Sequence, residues 1–295
     1  MQGKIIKGIA GFYYVQAEDG KLYACKAKGI FRNRKEKPLV GDNVEMEITH
    51  EGDREGNIIH ILPRSSVLLR PAVANVDQAL VIFAVAKPKS NLSLLDRFLI
   101  MMNRQKIPAI ICFNKTDEAS GAETEKLRGI YAGCQSRLLF ISAKYGDGLG
   151  ELDSLLKNHT TTVAGPSGVG KSTLINLLVP QAGMETGDIS VKIDRGKHTT
   201  RHSELFCLEN GGYIFDTPGF SSLELGPMEK EELRYNFPEF TAYEGRCRFQ
   251  GCVHINEPDC AVKQAVENGA VHKERYESYT ALFEELKEKE KRRYI

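Results

Sequence analysis

The sequence predicts a multidomain α/β protein with a small N-terminal β-barrel, an open, mostly parallel sheet with helices, and a C-terminal helical module. Three observations predict it. Short strand patterns fill the first 62 residues, strand–helix alternation begins at Asn75, and a charged helical stretch broken by clustered cysteines follows Gly226. The expected boundaries are 1–64, 65–226 and 227–295. With 295 residues, 41% hydrophobic and 27% charged, the chain has the balance of a globular protein and room for about two or three domains. A disordered or collagen-like chain is excluded.

In the barrel, Val44, Met46 and Ile48 alternate with Glu45 and Glu47, the period of a half-buried strand. Asp19-Gly20 between two Tyr-, Val- and Ala-containing runs is a hairpin signal. Runs near 3–9, 11–17, 21–27, 43–49 and 57–62 make five strands, the count of an OB-type barrel; an SH3-like barrel fits almost as well. Pro63-Arg64-Ser65-Ser66 then reads as a linker. In the sheet domain, Ala79–Ala86 and Ile110–Phe113 are continuous apolar runs suited to strands buried on both faces. Leu92–Gln105 has helical spacing. Leu138–Ser142, Thr161–Ala164 and Tyr213–Phe215 are further strands, with helices at Gly150–Asn158 and Lys171–Val179. The tail Glu284–Arg293 reads mostly as a solvated helix face.

No apolar run exceeds eight residues, far short of the roughly 20 of a membrane span, and the N-terminus lacks an apolar signal core. No membrane partner and a cytoplasmic location are expected. Net charge is +1, yet residues 1–37 hold nine Lys/Arg against three Asp/Glu, and 38–63 hold one Arg against six acids. Polyanion binding should therefore be local.

The chemistry lies in loops that follow strands. Gly165, Pro166, Ser167, Gly168, Val169, Gly170, Lys171 and Ser172 fit G-x-x-x-x-G-K-[ST] between a strand and a helix, with Thr173 next. Backbone N–H groups of such a loop curl around phosphates, Lys171 places charge on the β/γ-phosphates, and Ser172 offers Mg²⁺ a hydroxyl. Asn114, Lys115, Thr116 and Asp117 follow the strand Ile110–Phe113. The Asp117 carboxylate can accept the N1–H and N2–H₂ of guanine, a donor pair adenine lacks. Asn114 can tether the loop and the Lys115 stem can cover the base. Ser142, Ala143 and Lys144 can present a backbone N–H to guanine O6. Asp216-Thr-Pro-Gly219 ends another strand, where Asp216 can hold the Mg²⁺ shell and Gly219 can sense the γ-phosphate. Thr200 can complete the Mg²⁺ shell; Thr199 and an ordinary polar loop are the alternatives.

Seven cysteines are present, and three fall between Cys247 and Cys260. Cys247-x₄-Cys252-x-His254-x₅-Cys260 supplies three thiolates and an imidazole, a closed structural set for one Zn²⁺. Buried free cysteines are the competing reading. Arg246 and Arg248 flank the first ligand, at an RNA-facing edge or as plain surface.

The motif order is unusual. Asn114–Asp117 and Ser142–Lys144 precede Gly165–Ser172, Thr200 and Asp216–Gly219, a circular permutation of the translation-factor type of GTPase. One open sheet still accommodates this, because each loop sits at the carboxyl end of its strand. With the barrel and the cysteine cluster, the chain resembles the RsgA (YjeQ) family of bacterial small-ribosomal-subunit biogenesis GTPases over essentially its full length. The resemblance implies an OB-fold, a permuted P-loop GTPase domain and a zinc-binding C-terminal domain. It implies GTP and GDP as ligands, late assembly work on 16S rRNA, and hydrolysis stimulated by the small subunit.

The position after Asp216–Gly219, where many GTPases place a water-orienting glutamine, is Phe220. Slow intrinsic turnover follows. His198 is the nearest group able to take a proton near neutral pH, and a structural loop histidine is the equal alternative. The catalytic candidates are thus Lys171, Thr200 and His198. Lys28, Arg32, Arg34 and Lys35, among Tyr13, Tyr14, Tyr23 and Phe31, are the candidate RNA contacts; aromatic residues of a small barrel also serve as core. A monomer is expected. Two other readings are an RNA-binding adaptor that senses GTP without turnover, and a GTPase acting on tRNA.

Overall fold

The computed structural model describes residues 1–29, 31, 36–50, 52–69, 72–182, 204–216 and 225–293. Five strands close the N-terminal barrel: β1 (Gln2–Ile9), β2 (Phe12–Ala17), β3 (Leu22–Ala27), β4 (Asn43–His50) and β5 (Glu55–Ile61), in the order β1-β2-β3-β5-β4. The β3–β5 pair is parallel and the others are antiparallel. Closure leaves no open edge, the solution an OB-type barrel uses. Alternation sends Ile5, Val15, Val44, Met46 and Ile58 inward, all essentially buried.

The stretch Pro63–Ser66 is pinned rather than loose. Asp42 is fully buried, and Arg64 answers it twice, from Nε at 2.7 Å and Nη2 at 2.8 Å. A carboxylate taken out of water needs such a partner, so Arg64 is fastened to the barrel. Asn75 donates to the Gly41 carbonyl at 2.9 Å and accepts from Ser65 N at 2.9 Å. Gly41 has φ +91°, and a Cβ there would lie 2.0 Å from the Ala74 carbonyl oxygen. Only glycine fits. Between these anchors lies a hairpin of β6 (Val67–Leu69) and β7 (Ala72–Ala74) that strand patterning had not marked.

The remaining strands are β8 (Gln78–Ala84), β9 (Ala109–Asn114), β10 (Arg137–Phe140), β11 (Thr160–Ala164), β12 (Leu205–Cys207) and β13 (Tyr213–Asp216). Their sheet order is β10-β9-β8-β11-β13-β12. The β9–β10 and β11–β13 pairs are parallel, and β12 is antiparallel to β13. Every residue of β11 is buried, its three threonines included, as a strand covered on both faces requires. The α-helices are α1 (Leu92–Arg104), α2 (Gly121–Tyr131), α3 (Leu149–Leu156), α4 (Lys171–Leu178), α5 (Ala261–Glu267) and α6 (Lys273–Arg293).

The chain divides into two compact units. One comprises Met1–Leu80 with Leu149–Phe220, and so holds the barrel and strands β11 to β13. The other comprises Val81–Gly148 with Ser221–Ile295, where α1 and α2 meet the C-terminal helices. Its core is aromatic, built on Phe237, Phe240, Tyr279 and Phe283 with Ile100 of α1. Within it α6 buries Arg275, 2% exposed, against Asp96 of α1 and against Glu239 at 2.6 Å. The guanidinium stacks on Phe237 at 4.6 Å, and the Tyr131 hydroxyl donates to Asp96 at 3.0 Å.

Candidate functional site

The guanine-side loops, both in the second unit, are knitted to each other. At the end of β9, Asn114 is 2% exposed and its Oδ1 accepts the Ala143 N–H at 3.0 Å. Lys115 then takes φ +63°, a left-handed conformation uncommon outside glycine. That turn leads into a short 3₁₀ segment, Thr116–Glu118, and leaves Asp117 exposed. Ser142, fully buried, donates from Oγ to Asp117 Oδ1 at 2.6 Å and accepts from Tyr145 N at 3.3 Å. Thr116 N donates to Ile141 O at 3.2 Å. Asn114 thus tethers the neighbouring loop by engaging the Ala143 N–H, so within Ser142–Lys144, the segment expected to offer a backbone N–H to guanine O6, that donor is already taken. Tyr145 was not singled out from sequence: it is 66% exposed, with Lys144 Nζ 5.0 Å from its ring centroid. An aromatic directly after Ser-Ala-Lys was the available signal.

The phosphate-side loop lies in the first unit. Gly165, Gly168 and Gly170 all have positive φ, at 143°, 80° and 94°. Three such residues in six bend the chain back on itself after β11. Gly170 caps α4 with no side chain bonded across the helix start. Val169, 1% exposed, pins the loop from below, and Leu174 and Ile175 bury the inner face of α4. Lys171 donates from Nζ to the Pro166 carbonyl at 2.6 Å, so its ammonium lies within the curl of the loop. Ser172 and Thr173 stand in the first turn of α4. Asp216 ends β13, and the parallel register sets it opposite Val163, just ahead of Gly165. His198, Thr199, Thr200, Gly219 and Phe220 lie outside the described residues.

The four candidate metal ligands come together. The ligand atoms of Cys247, Cys252, His254 and Cys260 all lie within 4.8 Å of one another. His254 Nδ1 is 3.6 Å from Cys247 Sγ and 3.4 Å from Cys260 Sγ, and the two sulfurs are 3.9 Å apart. The turn carrying them is held from outside. Glu257 accepts from Val253 N and Ile255 N at 2.8 and 3.0 Å, while Tyr276 and Tyr279 donate to the carbonyls of His254 and Val253 at 2.7 and 2.5 Å. Burial pushes the Cys252 thiol up to about 12, so a thiolate there requires a cation. The cluster is a structural metal site by donor chemistry.

Comparison with known proteins decides the family. The RsgA GTPase profile matches residues 61–226, and the RsgA N-terminal domain profile matches residues 2–58. A small ribosomal subunit biogenesis GTPase RsgA of Agathobacter rectalis is 54% identical over 99% of this chain and 100% of its own length. The chain belongs to the RsgA family. Its counterpart in Caldanaerobacter subterraneus is 48% identical over 100% of this chain and 98% of that one. Among solved structures, YjeQ from Thermotoga maritima superimposes with a TM-score of 0.82 at 36% identity, covering 97% of this chain and 98% of its own. YloQ, described as a circularly permuted GTPase, gives 0.79 at 39%, covering 98% and 95%. This RsgA-family chain is a GTPase, an enzyme that hydrolyses GTP to GDP and phosphate.

In the family's barrel, the expected stacking face is partly core. Tyr23 and Phe31 are 2% and 3% exposed and pack with Ile5 and Val44, because small barrels fill their interior with the largest inward side chains. Phe12, absent from the sequence-based set, is the exposed aromatic, 39% accessible with Lys26 Nζ 5.0 Å from its ring centroid. Lys28 is exposed and ion-paired with Glu47 at 3.0 Å. Arg32, Arg34 and Lys35 lie outside the described residues. A cleft of about 530 Å³ opens beside Lys26 and Lys28, lined also by Tyr13, Phe31 and Lys37. In the C-terminal module Arg248 pairs with Asp259 at 2.9 Å on the surface. No helix among the described residues is long and apolar enough to cross a membrane.

Proposed function

We propose that the chain is a GTP-driven assembly factor of the small ribosomal subunit, binding 16S rRNA, stimulated by that subunit and released as GDP replaces GTP. The observation that carries this is the full-length identity of 54% to a curated small ribosomal subunit biogenesis GTPase, with the phosphate and guanine motifs intact. It acts as a cytoplasmic monomer, with domains 1–64, 65–226 and 227–295. The end of the GTPase profile match at 226 supports the second limit.

In this reading the N–H groups of Gly165–Thr173 hold the phosphates, Lys171 neutralises them, and Asp117 reads the guanine edge. Ser172, Asp216 and Thr200 hold Mg²⁺, which stabilises charge on the transferred phosphoryl group when bound. The Asn114–Ala143 and Asp117–Ser142 bonds support the guanine assignment, because they pre-set the loop that must discriminate. Asn114, Lys115, Thr116, Ser142, Ala143 and Lys144 frame the base, and Gly219 senses the γ-phosphate. His198 orients water in place of the glutamine that Phe220 replaces. Lys28, Arg32, Arg34 and Lys35 bind rRNA phosphates.

Cys247, Cys252, His254 and Cys260 hold one structural zinc. Three thiols and an imidazole whose ligand atoms gather within 4.8 Å of one another make a donor set that would suit zinc and leave no open position for chemistry.

The test is phosphate release from GTP with isolated small subunits, large subunits or free tRNA added. Small subunits alone should raise the rate. Equal stimulation by tRNA would move the target, and a rate that nothing raises would mark an RNA-binding adaptor that senses GTP.

A further inference from the structure

Strand β1 belongs to the barrel, yet two of its lysines serve the strands that carry the phosphate site. Ile5 points into the barrel core with no exposure. Simple alternation would put Lys4 and Lys7 on opposite faces. The β1–β2 register instead passes from Ile5↔Val15 to Lys7↔Tyr14, so Ile6 is an extra residue in a bulge. A bulge re-aims the side chains beyond it, and here it turns Lys4 and Lys7 to the same side. Lys4 Nζ lies 3.5 Å from Thr160 Oγ1 and 5.3 Å from the Tyr213 ring centroid. Lys7 forms a backbone bridge with Glu204 and a 2.8 Å ion pair with its carboxylate.

These contacts fall on two separate rungs of the sheet. Thr160 and Tyr213 are partners on the first rung of β11 and β13. Strand β12 pairs Leu205 with Phe215, so one residue earlier Glu204 reaches the level of Asp216. Asp216 in turn is opposite Val163. The two rungs are about 10 Å apart at the rise of a strand. β1 therefore braces the sheet at its foot through Lys4, and at the nucleotide end through Lys7.

We propose that Lys7 and Glu204 are positioning residues for subunit-stimulated GTP hydrolysis. Their contact passes RNA engagement of the barrel to β12, and through the β12–β13 ladder to the Asp216 end of β13. The proposal rests on the function proposed above, in which RNA holds the barrel. A partner that grips the barrel biases Asp216 only through a contact that differs between two arrangements. The Lys7–Glu204 pair is placed to be that contact. Its side chains are 31% and 34% exposed, so it adds little to stability and can be altered without unfolding the protein.

The experiment uses the full chain with zinc, GTP and isolated small subunits. It compares wild type, Glu204→Gln, and the charge swap Lys7→Glu with Glu204→Lys. Glu204→Gln should keep its unstimulated rate, its subunit affinity by sedimentation, and a melting temperature within about 3 °C of wild type. Its subunit-stimulated kcat should fall at least about fivefold, the lower bound of ordinary coupling between sites, with KM for GTP unchanged. The charge swap should restore most of the stimulation. Wild-type stimulation in Glu204→Gln overturns the inference, as does a loss explained by subunit affinity alone or one the swap leaves in place. Failure of small subunits to stimulate even wild type overturns the function proposal first, and this inference with it.

Discussion

The barrel and the C-terminal module stabilise themselves by opposite means. The barrel is a closed ladder in which each strand satisfies its neighbours' backbone, and its centre is largely aliphatic: Ile5, Val15, Val44 and Ile58 are fully buried. The C-terminal module has two α-helices and two 3₁₀ segments, and the run 244–260 contains neither helix nor strand. Side chains do there what a ladder does in the barrel. Glu257, Tyr276, Tyr279 and Arg234 each bond backbone groups of that run, the last donating to the Cys252 carbonyl at 2.5 Å. A ladder degrades gradually when one residue changes. A polar cross-link fails as a unit.

Removing the metal tests the contrast most severely. Small structural zinc sites contribute about 10 kcal/mol or more to folding. Chelation, or Cys252→Ser, should strip hydrogen-exchange protection from residues 244–260 and leave protection in β1 to β5 unchanged. Equal loss in the barrel would end the distinction.

Next in size is Arg275. It faces two buried carboxylates, Asp96 at 1% and Glu239 at 6% side-chain exposure. Arg275→Met keeps much of the volume but leaves both without their cation. Removing one partner of a buried ion pair costs about 3–5 kcal/mol. Urea unfolding followed by fluorescence of C-terminal tyrosines should show that loss. Replacing Asp96 and Glu239 with apolar residues in the same chain should recover part of it, which a simple packing defect would not do.

The same contrast governs what sequence could reveal. Strand and helix placement in the α/β region followed from apolar runs, and motif spacing pointed to Asn114, Asp117, Lys171 and the four metal ligands. What stayed hidden was decided by long-range partners or by very short elements. Arg275 reads as one more charge in a polar helix; Asp96, 179 positions away, together with Glu239 makes it a core residue. Strand β12 is three residues long, too short for periodicity to register. Helix α2 buries only Leu127, Ile130 and Tyr131, so its apolar stripe is weak. Its clearer signature is the capping box of Ser120 and Glu123, which marks the helix start rather than its face. Tyr23 and Phe31 were ambiguous because a barrel strand uses aromatic residues both for core and for ligand. Lys115 adopts its left-handed turn because the Asn114–Ala143 and Asp117–Ser142 bonds hold both sides of it, a cause no local pattern carries.

The smallest effect concerns acid. Glu285 on α6 pairs with Arg97 on α1 and with Lys289 at 3.1 Å. The Arg97 guanidinium holds the Glu285 carboxyl below its ordinary value of 4.5. A depressed folded value means the pair's stability is fully present above the unfolded value, near 4.5, and is lost as pH falls through the lowered one. The carboxylate is 31% exposed, so solvent screening limits the contribution to less than about 1 kcal/mol. Acid also releases metal from a Cys/His site, whose ligands must be deprotonated, so wild type alone cannot isolate the pair. The difference between wild type and Glu285→Gln can, because metal loss enters both. That difference should be constant above about pH 5, shrink as pH falls further, and diminish in high salt. A difference that persists in acid would assign Glu285 a packing role, and the C-terminal module would then depend less on charge than its contrast with the barrel implies.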